Sequence, residues 1–303
     1  MHKSVEWEWV HVGRTIHPDE LALIQETVEL FPGLSRTELA KTLCDHLGWY
    51  TASGTTKGRA CEELLERLEA QGLVRLPQRR PRVRRRPSAP SATRQTDAGA
   101  PVTGVLGELG GVGLEVVEGA EETALWNEYV ERYHYLGYRS PAGCRLRYFV
   151  ESGRGRLGCV LLGGAARAIA VRDRWIGWTR AQRLRHLGWV VNNTRFLVFP
   201  WVQVPHLASH VLGQVARRVG KDWESRWGYR PLLLETFVDP QRYRGTCYRA
   251  SGWELLGETT GEGLARRGKL YRTTAKLVYA RPLREGFREL LCSEGLVGGQ
   301  VQP

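Results

Sequence analysis

The sequence predicts an α/β (α+β) protein in which a mixed-sheet domain follows a small helical domain. Residues 195–199 alternate and end in bulky apolar side chains, as a buried strand does. Residues 206–219 then place apolar side chains at helical spacing, and residues 232–238 form a second, nearly continuous apolar strand. A strand, a crossover helix and another buried strand indicate a parallel β-α-β unit.

The first 76 residues predict a winged helix-turn-helix domain. A weakly alternating stretch at residues 5–12 indicates a short strand, and helices are predicted over residues 18–31, from the Ser35 cap onward, and over residues 58–71. Residues 72–77 would begin a wing strand after the third helix. Three helices followed by such a strand are typical of this DNA-binding fold.

The third helix begins with polar residues of the kind that a groove-reading helix uses, among them Lys57 and Arg59. The rest of that helix is rich in glutamate, which repels phosphate. Residues 1–76 hold 8 Lys/Arg against 12 Asp/Glu, a net charge of −4. Both DNA and a protein therefore remain open as the partner of this domain.

An arginine-rich linker is predicted over residues 77–103, which hold 7 Lys/Arg against 1 Asp/Glu. Its apolar content is too low for it to fold. Clustered arginines repel one another unless they are screened, which favours a phosphate-binding segment over a plain solvated tether. The arginines are Arg79, Arg80, Arg82, Arg84, Arg85 and Arg86.

The formal net charge is +12, and residues 104–303 contribute 29 Lys/Arg against 19 Asp/Glu. This charge favours DNA, or RNA, as the partner, although arginine is also an ordinary solvated surface residue. The apolar runs are too short to span a bilayer and no leader opens the sequence, so we expect a cytoplasmic protein without membrane contact. The six cysteines form no C-x-x-C pair, and no metal site is predicted.

The last domain is expected to begin with a helix and an antiparallel meander. The helix is predicted over residues 121–133, and strands follow at residues 148–150 and 157–162, joined by a hairpin turn. Residues 165–170 and 175–178 would complete the meander.

A short helix at residues 181–187 precedes the β-α-β unit, and strands at residues 253–258 and 277–280 follow it. The segment between these two strands is glycine-rich and basic, which suits a loop that faces phosphate. The nucleic-acid contacts expected in this domain are Arg195, Arg244, Arg266, Arg267 and Lys269.

Two acidic residues of the second strand are candidates for catalysis. Glu235 lies in an otherwise apolar strand, either as a functional carboxylate or as half of an ion pair with Arg195 or Arg244. Asp239 follows at the carboxyl end of the strand, where open α/β sheets place their sites. Asp239 also fits the start of a turn as a cap.

Aromatic and thiol side chains provide further candidates. His134 follows Tyr133 and is either a base near neutral pH or a structural histidine in an aromatic cluster. Tyr243 and Tyr248 supply phenols, and Cys247 is the weaker candidate because a thiol nucleophile needs a base beside it.

The β-α-β unit resembles the central motif of the GNAT-type acyltransferases, in which the strands splay and the helix start faces the cofactor pyrophosphate. The loop Gln203-Val-Pro-His-Leu-Ala stands where that superfamily has Gln/Arg-x-x-Gly-x-Gly/Ala, so His206 takes a glycine position. The resemblance implies a tyrosine general acid, for which Tyr248 is placed. It also implies an acyl-CoA-like donor bound by Val204, His206, Leu207, Ala208 and Ser209.

Longer phrases resemble the DruA family of the Druantia anti-phage system, which is associated with defence loci and transposable elements. The resemblance implies partners among defence or transposition proteins. The His-Tyr phrase is similar, more distantly, to Mom-type DNA-modification proteins. The phrases are Tyr133-His-Tyr-Leu-Gly, Asn192-Asn-Thr-Arg-Phe-Leu-Val, Pro205-His-Leu-Ala-Ser, Glu235-Thr-Phe-Val-Asp-Pro and Tyr243-Arg-Gly-Thr-Cys-Tyr.

Two classes of function stay open. A nucleic-acid-directed group-transfer enzyme would use His134 or Glu235 as the base and Tyr248 as the acid. A non-catalytic DNA-binding accessory would keep the fold with a degenerate cofactor cleft. The residues around His134 and Glu235 favour the enzyme, and the altered glycine loop favours the accessory.

Overall fold

The structure is a computed structural model. It describes residues 9–31, 34–52, 55–78, 90, 92–139, 144–261, 274–293, 296–297 and 300–301.

The strands, in chain order, are β1 (Trp9–His11), β2 (Arg14–Ile16), β3 (Val102–Thr103), β4 (Val112–Val116), β5 (Arg145–Ser152), β6 (Gly155–Gly164), β7 (Val190–Val198), β8 (Val202–Gln203), β9 (Leu233–Val238), β10 (Glu254–Glu258), β11 (Leu277–Pro282), β12 (Leu296–Val297) and β13 (Gln300–Val301). The α-helices are α1 (Pro18–Leu30), α2 (Arg36–His46), α3 (Gly58–Ala70), α4 (Ala120–Tyr133), α5 (Ala170–Ile176), α6 (Arg180–His186), α7 (Leu207–Trp227), α8 (Thr246–Ala250) and α9 (Phe287–Leu291). No helix in the described part of the chain is long and apolar enough to cross a membrane.

The chain divides into two compact units, and the division takes segments from distant parts of the sequence. The predicted domain boundaries after residues 76 and 103 stay a prediction. The first unit is residues 1–86, 178–187 and 290–303, and the second is residues 87–177 and 188–289.

The three N-terminal helices of the first unit are confirmed. The Ser35 hydroxyl accepts a hydrogen bond from the Glu38 amide, and the Glu38 carboxylate accepts from the Ser35 amide, so the predicted capping box begins α2. Helices α1, α2 and α3 then share one apolar core, because Ile24, Leu39 and Leu64 are fully buried in it.

The predicted wing strand is wrong, and the winged helix is not confirmed. Gly72 takes a left-handed conformation (φ +73°) at the end of α3, and the residues after it form no strand. Side chains hold that segment instead. The Leu76 amide donates to Glu69 Oε1 (3.1 Å), and Arg36 Nε donates to the Pro77 carbonyl (2.7 Å).

The second unit is built on a seven-stranded sheet in the order β10-β11-β9-β7-β6-β5-β4. All neighbours are antiparallel except β7 and β9, which are parallel and joined through α7. The predicted hairpin is confirmed, because β5 and β6 pair from Arg145 to Ser152. The mixed α/β fold and its parallel β-α-β unit are therefore as the sequence predicts.

The strands predicted at residues 165–170 and 175–178 are wrong, because β6 ends at Gly164 and α5 follows. Helix α5 turns the side chain of Arg172 inward, where it is fully buried and forms an ion pair with Glu235 of β9. Gly177 ends the helix in a left-handed conformation (φ +87°).

Strands β7 and β9 separate partway along their length. They pair from Val190 with Leu233 to Asn193 with Thr236, and beyond that point β7 runs on to Val198 without β9 beside it. A β-bulge lies at the same place. The neighbouring residues Leu162 and Leu161 of β6 pair with Asn193 and Arg195 of β7, so Thr194 between them has no partner in the ladder. The separation opens a cleft at the carboxyl ends of the two strands.

Candidate active site

The cleft has a volume of about 410 Å³, within the range typical of small-molecule sites. Its walls are the two separated strands, the turn after α4, the loop that leads into α8, and the first turn of α7. The lining residues are 133–136, 193–194, 196–198, 208, 236–239 and 243–248.

A buried phenol forms the floor of the cleft. Tyr248 is 8% exposed, and its ring stacks on that of Tyr279 with centroids 5.6 Å apart. Its hydroxyl accepts a hydrogen bond from Asn193 Nδ2 (3.2 Å). Thr236 donates to the Asn193 carbonyl (3.0 Å) and lies 3.4 Å from the same phenol oxygen. Burial raises the pKa of Tyr248, so the phenol stays protonated at neutral pH.

Asn193 has a free acceptor in this cleft. The residue is 4% exposed, and its Oδ1 has no hydrogen-bond partner among the described residues. A buried amide oxygen without a partner is costly unless a ligand or water satisfies it. The Asn193 side chain thus carries a buried acceptor without a partner in a residue that lines the cleft.

His134 lies at the end of α4, on the wall of the cleft. Its Nδ1 accepts a hydrogen bond from the Leu136 amide (3.2 Å), so in the neutral ring the proton is on Nε2. Burial, together with the positive charge of Arg195, lowers the pKa of His134 to about 4. The imidazole is thus a neutral hydrogen-bond donor at neutral pH, and the predicted role as a base does not fit this geometry.

Asp239 lines the cleft at the end of β9, as predicted. Its Oδ2 forms an ion pair with Lys276 Nζ (2.6 Å), and its Oδ1 accepts from the Gln241 amide (3.1 Å). The hydrogen bond from Lys276 lowers the pKa of Asp239, which makes this carboxylate a weak base.

Glu235 does not line the cleft. Both of its carboxylate oxygens are engaged, one by the Ala166 amide (2.7 Å) and the other by Arg172 Nη1 (2.7 Å). Burial raises the pKa of Glu235 against the opposing effect of Arg172. The sequence predicts an ion pair as one of two roles for Glu235, but with Arg195 or Arg244 as its partner. Arg172 takes that place because α5 is a helix.

The remaining candidates, two tyrosines and a cysteine, take different positions on the cleft. Tyr133 lines it but donates its hydroxyl to the Thr96 carbonyl (2.8 Å), which ties it to the wall. Tyr243 is 55% exposed at the mouth, where its ring lies 5.8 Å from that of Tyr135. Cys247 also lines the cleft, and burial raises the pKa of its thiol, which disfavours the thiolate needed for a nucleophile.

The start of α7 meets the cleft only through Ala208; Val204, His206, Leu207 and Ser209 do not line it. His206 takes a left-handed conformation (φ +64°), which is uncommon for a residue with a side chain. The backbone thus keeps the path that a glycine would take there.

The predicted nucleic-acid contacts are spread over the two units. Arg244 is exposed and lines the cleft, whereas Arg195 donates to the Gly137 carbonyl (2.9 Å) and holds the turn after α4. In the first unit, Arg59 is exposed and pairs with Glu63, and burial lowers the pKa of Lys57. Residues Arg79, Arg80, Arg82, Arg84, Arg85, Arg86, Arg266, Arg267 and Lys269 lie outside the described residues.

Sequence reasoning predicted Tyr248 as a site residue but missed Asn193 and Thr236, which lie beside it on the floor of the cleft. Asn193 and Thr236 are the last pair of residues at which β7 and β9 meet. A polar pair at the ends of two parallel strands is a signal for a site, but each side chain by itself is typical of an ordinary strand residue. No group of His, Cys, Asp and Glu that would hold a metal ion occurs in the part of the chain that the structure describes.

Part of the chain is similar to solved acetyltransferase structures. Aminoglycoside acetyltransferase AAC(6')-Ib in complex with coenzyme A is 14% identical, with a TM-score of 0.38 over 57% of this chain and 95% of that chain. A GNAT-family acetyltransferase from Streptococcus pneumoniae is 12% identical, with a TM-score of 0.35 over 56% of this chain and 99% of that one. A Bacillus subtilis acetyltransferase in complex with CoA is 12% identical, with a TM-score of 0.32 over 57% and 99%. These likenesses say nothing of a substrate for this chain.

No curated protein matches the chain. A family model does: the model described as Druantia protein DruA matches residues 67–281, which contain the seven-stranded sheet except its last residue, Pro282, and the whole cleft. The chain belongs to the DruA family of the Druantia defence system.

Proposed function

We propose that this chain is a group-transfer enzyme that acts on nucleic acid within its defence system, and that the cleft between β7 and β9 is its active site. One observation carries the proposal. The separated strands bring a protonated phenol, a neutral imidazole and a helix start to the same opening.

The charge around the cleft supports a polyanionic substrate. Arg244 lines the opening, and Arg242 beside it is exposed. Asp239 is the one carboxylate among the described lining residues, and Lys276 neutralises it. Exposed positive side chains at the opening attract phosphate over a long range and hold it.

The start of α7 fits a phosphate-bearing donor through its backbone. His206 keeps the left-handed turn that a glycine would make, and Ala208 faces the cleft with only a methyl group. Amides in the first turn of a helix have no intrahelical acceptor, so Ala208 and Ser209 would hold the phosphates. Pro205 contributes no amide. An acyl-CoA-like donor, when bound, supplies an activated acyl group.

The side chains of the cleft then divide the remaining work. Tyr248 keeps its proton at neutral pH and donates it to the thiolate that leaves as the donor C–S bond breaks, and the proton released by the accepting group on the nucleic acid returns to the phenol. His134 donates through Nε2–H to negative charge that develops on an oxygen, which is the task of an oxyanion-binding group. Asn193 and Thr236 orient the phenol through the contacts at 3.2 and 3.4 Å.

Mass spectrometry tests this proposal. The full chain is incubated with single-stranded DNA, duplex DNA or RNA and a panel of acyl-CoA donors, and the nucleic acid is digested and weighed. We expect an increment equal to the acyl group less one hydrogen that needs both donor and protein and is lost in Tyr248→Phe. If nucleic acid is bound but no donor gives an increment, the non-catalytic accessory is the correct function.

A further inference from the structure

We infer that the acceptor in this cleft is an unpaired nucleobase with an exocyclic amino group, stacked on Tyr135 and Tyr243 and read by Asn193. This inference rests on the proposed function and deepens it by naming the substrate class. Three features of the cleft carry it: the aromatic surface at the mouth, the charge beside that surface, and the free acceptor inside.

The mouth of the cleft exposes flat apolar surface. Tyr135 is 36% exposed and Tyr243 is 55% exposed, and their rings lie 5.8 Å apart at an angle of 57°. His134 stacks on Tyr135 with centroids 4.9 Å apart, which fixes that ring from within. Exposed aromatic rings that are already positioned provide the stacking surfaces on which proteins hold single-stranded bases.

Cations stand beside these rings. The Arg242 guanidinium lies 4.9 Å from the centroid of the Tyr135 ring, and Arg244, two residues later in the chain, is also exposed. Alternating aromatic and cationic side chains match a strand of nucleic acid, in which bases and phosphates alternate. An apolar protein or lipid partner would gain from the rings but not from the arginines.

The Oδ1 atom of Asn193, which has no partner among the described residues, determines which nucleobases the cleft binds. Its amide nitrogen is engaged by Tyr248, so the group that it offers to a ligand is an acceptor. An acceptor requires an N–H or O–H on the ligand. Adenine, cytosine and guanine carry an exocyclic amino group, whereas the one free N–H on the pairing edge of thymine lies between two carbonyl oxygens that repel an acceptor. A site built around such a buried acceptor discriminates against the base that brings these oxygens towards it.

No strong base occurs among the described lining residues. This agrees with a nucleobase amino group as the group that receives the acyl group. An aliphatic amine is protonated at neutral pH and must lose a proton before it reacts, whereas the amino group of a nucleobase is already neutral. Asp239 is held by Lys276, and His134 has its Nδ1 occupied. The lone pair of such an amino group is delocalised into the ring, so the cleft must orient it on the donor. As the new N–C bond forms and the donor C–S bond breaks, the amino proton replaces the one that Tyr248 gives to the leaving thiolate. A base in a duplex would have to be flipped out to reach it.

Fluorescence anisotropy of labelled oligonucleotides tests the inference without any donor. The probes are single strands of abasic sites that carry one central adenine, cytosine, guanine or thymine, or no base, so that all have the same charge. We expect the full chain to bind the adenine, cytosine and guanine probes about tenfold or more tightly than the abasic probe, with thymine between them. Tyr135→Ala and Tyr243→Ala should each remove most of this difference.

Two further variants make the result specific. Asn193→Leu should abolish the preference over thymine while stacking and abasic binding persist. Phe31→Ala, which removes an exposed aromatic ring (42%) from the first unit, should change nothing. Equal binding of the base-containing and abasic probes would overturn the inference and leave transfer to nucleic acid standing. Base-dependent binding with no transfer to any probe would overturn the proposed function instead.

Discussion

The backbone amide of Leu136 donates a hydrogen bond to Nδ1 of His134 across 3.2 Å. Because an amide can only donate, this nitrogen of the imidazole must be the acceptor, and the proton of the neutral ring lies on Nε2. Protonation would place a second N–H against the Leu136 amide, in addition to the cost of burial beside Arg195. The turn after α4 therefore makes His134 a donor.

The first prediction concerns the pH dependence of stability. The pKa of His134 in the folded chain is about 4, below its ordinary value of 6.5, so the unfolded chain binds more protons between these two values. Stability is then lost as the pH falls from 6.5 towards 4. Between pH 7 and pH 5 the native chain should lose roughly 2 kcal/mol more unfolding free energy than His134→Gln does, measured by urea unfolding. Equal losses would show that His134 is protonated without cost.

The second prediction separates His134 as a donor from His134 as a base. Gln presents an N–H donor but no basic nitrogen, whereas Ala presents neither. We expect His134→Ala to abolish phage protection and His134→Gln to keep part of it. Because Nε2–H can donate in both protonation states of the ring, a donor role predicts no ascending limb in the rate of transfer near pH 4, the pKa of His134 in the folded chain. Such a limb in the native chain, absent in His134→Gln, would restore the base.

The third prediction tests Tyr248 as the proton donor. Tyr248→Phe removes the hydroxyl and should lower the transfer rate by roughly 100- to 10,000-fold. Its folding cost should be only about 1 kcal/mol, from one lost hydrogen bond. Tyr129→Phe is the matched control, because its hydroxyl donates to the Gln95 carbonyl (3.0 Å) outside the cleft. Equal loss of activity in both variants would assign the effect to packing.

The fourth prediction assigns Glu235 to stability. Glu235 and Arg172 are both fully buried, and Arg172 also pairs with Asp173 (2.7 Å), so Glu235→Gln removes one of its carboxylate partners and should cost about 2 kcal/mol of unfolding free energy. Glu235→Leu combined with Arg172→Met should recover most of that loss. The exposed pair Glu224–Arg230 is the control, where Glu224→Gln should cost less than about 1 kcal/mol. If Glu235→Gln is fully stable but inactive, Glu235 has a catalytic role instead.

These contacts show what the sequence can and cannot predict. The helices and the β-α-β unit carry long periodic patterns, and burial of the apolar face of α7 enforces them. Helix α5 has only seven residues and too little periodicity to be told from a strand, and its fold depends on an ion pair with a residue 63 positions away. His134 was predicted from its place in the phrase that resembles the DruA family, but its protonation state depends on a local hydrogen bond that no residue pattern reveals.

The last prediction concerns His206, which begins α7 with a φ of +64°. A side chain in the left-handed region costs about 1 kcal/mol or more, and glycine avoids that cost while losing some entropy. His206→Gly should therefore stabilise the chain by roughly 0.5–1 kcal/mol, whereas His206→Ala, which keeps a Cβ, should not.

The same pair of variants tests the donor site, because glycine leaves the amides of the first turn more open to phosphate. If acyl-CoA-like donors bind there, isothermal titration with such a donor should show equal or tighter binding in His206→Gly than in the native chain. Weaker binding would mean that the His206 side chain itself contacts the donor, and no binding in either would remove the helix start from the active site.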